Sequence, residues 1–128
     1  MKVSVKFKHD RQFNNRIKNY LEQKKIEKKF KMLNKFGQEG VDALQAATPV
    51  LTGKTANSWY YRITKVNKSR VNLVWYNMNI NDGVNIALLI DSGHATRSGT
   101  WVQGYNYIEP AIQPIMDKVI EYFREEGK

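Results

Sequence analysis

Few side chains in this sequence have the types and spacings that carry out chemistry. Thr52-Gly53-Lys54-Thr55 contains the Gly-Lys-Thr of a phosphate-binding loop. That loop needs another glycine five positions before Gly53, so that backbone N–H groups can cradle a phosphate. Thr48 stands there instead, and Pro49 withdraws one N–H from the cradle. Asp91, Ser92 and His94 are the residue types of a hydrolytic triad packed into four positions. Triads are assembled in space, and such close neighbours rarely meet the geometry. No nucleophile-elbow sequence surrounds Ser92, so a polar turn is expected there. His9 and His94 are the two histidines, neither has helical ligand spacing to a carboxylate, and there are no cysteines. No metal site follows from such a set. Acidic residues are scattered singly, which gives paired-carboxylate catalysis no seat. The expectation is a non-enzyme with no cofactor and no metal.

Charge is more informative. The chain of 128 residues carries a formal charge of +9, from 21 Lys+Arg against 12 Asp+Glu. Residues 1–36 hold twelve of the basic residues and three of the acidic ones, so the remainder is neutral. An electropositive module therefore precedes a neutral body, and its natural neighbour is a polyanion or an acidic protein surface. Lys24, Lys28, Lys31 and Lys35 form a stripe that either tracks phosphates or is simply a solvated face. Trp59, Tyr60, Tyr61, Trp75 and Tyr76 either stack on nucleic-acid bases or pack a sheet core. These two features support an alternative function, a nucleic-acid-binding module.

The elements that would position these residues read from periodicity. Residues 2–8 alternate Val3, Val5 and Phe7 with lysines and serine, the period of a half-buried edge strand. Residues 10–47 are helical in period. At 100° per residue, Ile26, Phe30, Leu33, Gly37, Val41 and Leu44 fall on one face, and the lysine stripe falls on the opposite one. Phe13, Ile17, Tyr20 and Leu21 project onto the lysine face. Burying both apolar sets requires two helices, one near 11–21 and a long one ending at Ala47, with a break at 22–25. Pro49 fits that ending. Gly37 and Gly40 weaken a helix, which implies close approach of another backbone.

Residues 48–55 read as a loop. Ser58–Val66 and Arg70–Tyr76 read as strands joined by a turn at 67–69. Trp59, Tyr61 and Ile63 would share a face with Val71, Leu73 and Trp75. Residues 77–83 are a polar loop, and Val84–Ile90 is either a buried strand or a helical turn. Residues 94–104 read as a mobile loop around Trp101. Pro110 opens a last helix whose stripe is Ile112, Ile115, Met116, Val119, Ile120 and Phe123.

Two segments answer to no packing demand: Thr48-Pro49-Val50-Leu51-Thr52-Gly53-Lys54 running to Ser58-Trp59, and Gly93-His94-Ala95-Thr96-Arg97-Ser98-Gly99-Thr100-Trp101-Val102-Gln103-Gly104. In order and spacing they resemble the tail-completion or head–tail joining family of long-tailed phages, whose members show Pro-Val-x-Thr-Gly, then Gly-His-x-Thr-Arg, Gly and Trp-Val-x-Gly. The resemblance spans roughly Ala43 to Phe123. Asp91-Ser92, Ala95, Gln103 and residues 54–57 depart from the family's usual residues.

The resemblance implies an α+β fold, an antiparallel β-sheet packed by a long N-terminal helix and a C-terminal helix. It implies a structural virion protein, a ring of identical subunits, six in the family, at the neck or tail end of a phage or prophage, with the free chain a monomer. Its partners would be itself and other neck, connector or tail-tube proteins. Lys54, His94, Arg97 and Trp101 would be protein contacts, and the lysine stripe would face channel DNA or an acidic partner. Its place would be the virion, and the host cytoplasm during assembly. Length and the lack of a linker favour one domain over 1–128. No apolar run nears the ~20 residues of a membrane span, and the first ten residues lack the apolar stretch of a signal peptide.

Overall fold

The computed structural model describes residues 1–6, 16–50, 53–67 and 69–126. Expectations for Phe7, Lys8, His9, the helix start at 11–15 with Phe13, Leu51 and Thr52 fall outside these residues. Three strands form the sheet: β1 (Lys2–Lys6), β2 (Trp59–Lys65) and β3 (Arg70–Asn77). Their order is β1-β3-β2, all antiparallel. The alternation read in β1 does place it at an edge, with Val3 opposite Leu73 and Val5 opposite Val71. In the β2–β3 hairpin Tyr61 lies opposite Trp75 and Ile63 opposite Leu73, so one face collects the apolar residues of all three strands. The other face carries Lys2, Ser4, Asn72 and a stacked Tyr60–Tyr76 pair at 5.3 Å.

Two helices cover the apolar face, α1 (Arg16–Ala47) and α3 (Ile108–Glu126). The result is a mixed α+β fold with helices flanking an antiparallel sheet. Leu33, Leu44, Leu73, Val71, Ile112 and Val119 are its fully enclosed side chains. Each came from a period-3.6 or period-2 stripe, because only those positions face the layer between helices and sheet. Ile120 breaks the expected α3 stripe and is exposed.

The expected break at 22–25 is absent: α1 runs through those positions as one helix of 32 residues. A break would be needed only if both apolar sets were buried. Instead Ile17, Tyr20 and Leu21 are 73%, 60% and 52% exposed, so no reorientation is needed. Contacts with the sheet and α3 begin near Phe30, where Lys65 Nζ lies 5.4 Å from the ring centroid. The first half of α1 overhangs the described body.

The close approach at Gly37 and Gly40 is also of a different kind. A Cβ on Gly37 would lie less than 3.0 Å from the Tyr61 ring, and one on Gly40 as near the Trp75 indole. Aromatic rings, not a backbone, press into the helix there.

The remaining elements sit at one end of the sheet. The polar loop after β3 contains β4 (Ile80–Asn81), which pairs with β5 (Val84–Asn85) across Asp82-Gly83. Both turn residues have positive φ, 50° and 78°, as a tight hairpin of this kind requires. The open choice at Val84–Ile90 resolves mainly to a helix, α2 (Ile86–Ser92), started by Asn85, whose Oδ1 accepts from the Leu88 N–H.

Candidate functional site

The segment read as a mobile loop, residues 94–104, contains a short hairpin, β6 (Gly93–Ala95) against β7 (Trp101–Gln103). Strands of only three residues, Gly-His-Ala and Trp-Val-Gln, are too short to show a readable period, so the sequence concealed them. Gly93 takes φ +83°, and a Cβ on it would collide with the Val102 carbonyl and the Gly104 nitrogen. A Cβ on Gly104 would collide with the backbone of Asp91, Ser92 and Gly93. The two glycines let the backbone segments 91–93 and 102–104 touch where any side chain would wedge them apart.

Further bonds fix that base. The Tyr105 and Asn106 N–H groups donate to the carbonyls of Ile90 and Asp91, each at 3.0 Å. The Asp91 carboxylate accepts from the Ile108 N–H at 2.9 Å, satisfying one of the unpaired donors at the start of α3. The far turn is tied by its hydroxyls. Thr96 Oγ1 accepts from the Thr100 N–H at 3.2 Å, and the Thr96 N–H donates to the Thr100 carbonyl at 2.7 Å.

On this frame Trp101 is 58% exposed, and Val102, Tyr105 and Arg97 are exposed beside it. His94 pairs with Val102 in register and is half-buried, and its Nδ1 is enclosed without a hydrogen-bond partner among the described residues. His94, Arg97 and Trp101 thus belong to one arm. Lys54 does not share it. It lies in the turn after α1, exposed, beside a cleft of about 410 Å³ lined by Pro49, Gly53, Asn79, Ile80 and Ile86.

Much of the first resembling segment has a structural task. Thr48 Oγ1 donates to the Leu44 carbonyl at 2.6 Å and accepts from the Trp59 indole N–H at 2.8 Å. Ser58 Oγ donates to the Lys54 carbonyl at 2.5 Å. Thr55 accepts from Asn77 on its carbonyl and from Asn79 on its hydroxyl, both at 2.8 Å. Thr55 is buried by these bonds and Lys54 points its chain to solvent, so the Gly-Lys-Thr run holds a turn together. The triad residue types are similarly occupied. Ser92 Oγ donates to the Leu88 carbonyl at 2.9 Å, and Asp91 holds α3, so the three side chains do not converge.

The aromatic set divides by face. Trp59 and Trp75 are buried, Tyr61 is half-buried under Gly37, and Tyr60 and Tyr76 lie on the outer face. Lys24, Lys28, Lys31 and Lys35 are all exposed along α1, Lys24 meeting Glu27 at 3.3 Å and lying 5.4 Å from the Tyr20 ring centroid. Sequence reasoning missed the exposed apolar residues Met78, Ile80, Val84 and Leu88 around the β4–β5 hairpin and α2. Val84 and Leu88 belong to a run that reads as core, and Met78 and Ile80 to a segment that reads as a polar loop, so only the tertiary arrangement shows the four together outside. Comparison with family models, with curated proteins and with solved structures gives no match.

Proposed function

We propose that this chain is a structural component of a phage or prophage particle, a ring-forming tail-completion or head–tail joining protein. The observation that carries the reading is the hairpin over 93–104. The residues that resemble the joining family build an arm pinned at its base by Gly93 and Gly104, and the arm offers Trp101 to solvent. An exposed indole on a fixed frame is the usual anchor of a protein interface, since little conformational freedom is lost when it is covered. In this reading Arg97 and His94 flank the anchor, and the chain has no catalytic role. Deletion of the gene tests it: heads and tails are expected to accumulate unjoined by electron microscopy, and normal joining would refute the assignment.

A second reading is favoured by the four exposed lysines of α1, which suit a nucleic-acid backbone. The burial of Trp59 and Trp75 removes two of the five aromatic platforms on which it also leaned. It requires tight, steeply salt-dependent DNA binding by the isolated chain.

A further inference from the structure

The basic overhang of α1 has an acidic counterpart on the same molecule. Residues 16–29 of α1 contain six basic and two acidic residues, and α3 contains five acidic and two basic ones. A groove of about 680 Å³ lies along α1 and α3, lined by Phe36, Pro114, Asp117, Lys118, Glu121 and Tyr122. Its floor is apolar, with Phe36 and Tyr122 edge to face at 5.9 Å. On its acidic rim Asp117 accepts from the Gln113 side-chain amide at 2.8 Å, whereas Glu121 is only loosely engaged. Glu121 meets Arg124 at 3.8 Å between exposed side chains, a long, solvent-screened pair that an incoming lysine can displace, and Lys118 stands 3.9 Å from the enclosed Glu39 Oε2.

The overhang carries the matching order of side chains. Ile17, Tyr20 and Leu21 are spaced i, i+3, i+4, and Lys24 and Lys28 continue the same face toward the body. We infer that the overhang of one copy of this chain docks in the α1–α3 groove of the next copy, Ile17, Tyr20 and Leu21 against Phe36, Pro114 and Tyr122, and the lysines against Asp117 and Glu121. The inference rests on the ring reading above and names the contact that would build the ring.

A chain cannot fill its own groove. Leu21 and Phe36 belong to one unbroken helix and are roughly 22 Å apart along its axis at ~1.5 Å per residue. The contact therefore joins two different patches, and such a head-to-tail contact repeats around a ring or along a filament. Pairing of two overhangs with each other would set lysines against lysines. A nucleic-acid strand has no use for the aliphatic end of the stripe. A membrane surface takes apolar and basic residues on opposite sides of a helix, whereas here they succeed one another along one side.

The chain has no cysteine, so two introduced thiols report the contact cleanly. A Tyr20→Cys, Pro114→Cys double variant, concentrated and treated with a short bis-maleimide, is expected to give a ladder of covalent multimers. The Tyr20→Cys and Pro114→Cys single variants mixed together should stop at the dimer, because each pair then has one usable junction. Adding Asp117→Lys and Glu121→Lys to the double variant should cut the ladder at least tenfold, and so should Leu21→Asp, which lies on an exposed position and leaves the circular dichroism spectrum unchanged. Monomer alone from the folded double variant overturns the inference, as does a Tyr20→Cys product that links two overhangs, or DNA binding by the overhang without a ladder. The readout is independent of phage particles. A ladder with normal joining after gene deletion refutes the virion role and keeps the contact, and the opposite result does the reverse.

Discussion

Trp75 Nε1 donates a 2.9 Å hydrogen bond to the carbonyl oxygen of Gly37 in the middle of α1. The indole can reach that carbonyl only because Gly40 leaves the space beside it empty. Helix and central strand are thus locked through one ring that is both apolar ballast and a satisfied donor. Gly40→Ala would gain up to about 1 kcal/mol of helix propensity but force a methyl group into the indole. Overpacking of a filled core costs about 1–3 kcal/mol, and here the obstructing group is a large ring held by its own bond. A net loss of stability is expected, read as a lower urea midpoint with an unchanged slope. A higher midpoint would mean that the ring shifts at no cost.

Thr48 is the hinge between α1 and the turn that follows. Thr48→Val keeps the shape but removes the acceptor of the buried Trp59 N–H and the donor to the Leu44 carbonyl. An orphaned buried donor costs about 1–3 kcal/mol. Denaturant unfolding of the valine variant should show a loss in that range. Thr48→Ser, which preserves both bonds, should lose less.

Tyr107 links the start of α3 to α2, its hydroxyl donating to the Ala87 carbonyl at 3.0 Å. Burial pushes its pKa above the ordinary 10.0, and the nearby Asp91 charge adds to the rise. A group that holds its proton more tightly folded than unfolded loses stability as pH climbs above its unfolded pKa. The stability of the protein should therefore fall above about pH 10. Tyr107→Phe should be less stable at neutral pH, by about 1 kcal/mol for the lost bond, yet show a shallower alkaline decline. Parallel alkaline curves for the two proteins would rule out Tyr107 as the titrating group.

The overhang of α1 stores almost no folding energy. Leu21→Asp and Ile17→Asp are expected to change stability by no more than about 0.5 kcal/mol, because both residues are over half exposed. A loss of 2 kcal/mol or more on thermal unfolding would show that the stripe is covered within a single folded chain, contrary to the docking inference.

What the sequence revealed follows from how each segment is solvated. Val3 and Val5, the Tyr61–Trp75 and Ile63–Leu73 pairs, and Leu33, Leu44, Ile112 and Val119 face a single apolar layer, so their spacing declares them. The uninterrupted α1 was not legible because Ile17, Tyr20 and Leu21 look like core and are exposed. An apolar stripe at helical spacing does not by itself say that the same chain buries it. Likewise, Gly37 and Gly40 announced a close approach without saying that it is by aromatic rings. In the candidate arm the glycines and Trp101 were visible, but the pairing of β6 with β7 was not, since backbone bonds and hydroxyl ties rather than side-chain burial define it.

The central claim is that the Trp101 arm joins this protein to the rest of a phage particle. The most direct measurement complements a gene deletion with Trp101→Ala and counts joined particles by electron microscopy. Trp101 is 58% exposed, so the variant should fold with stability within about 1 kcal/mol of the parent. Loss of such an anchor costs about 2–4 kcal/mol of binding, which weakens the affinity of the joint by roughly 30- to 1,000-fold. The account predicts abundant separate heads and tails and few infectious particles from a folded variant. Joined particles at the parent's yield would contradict it.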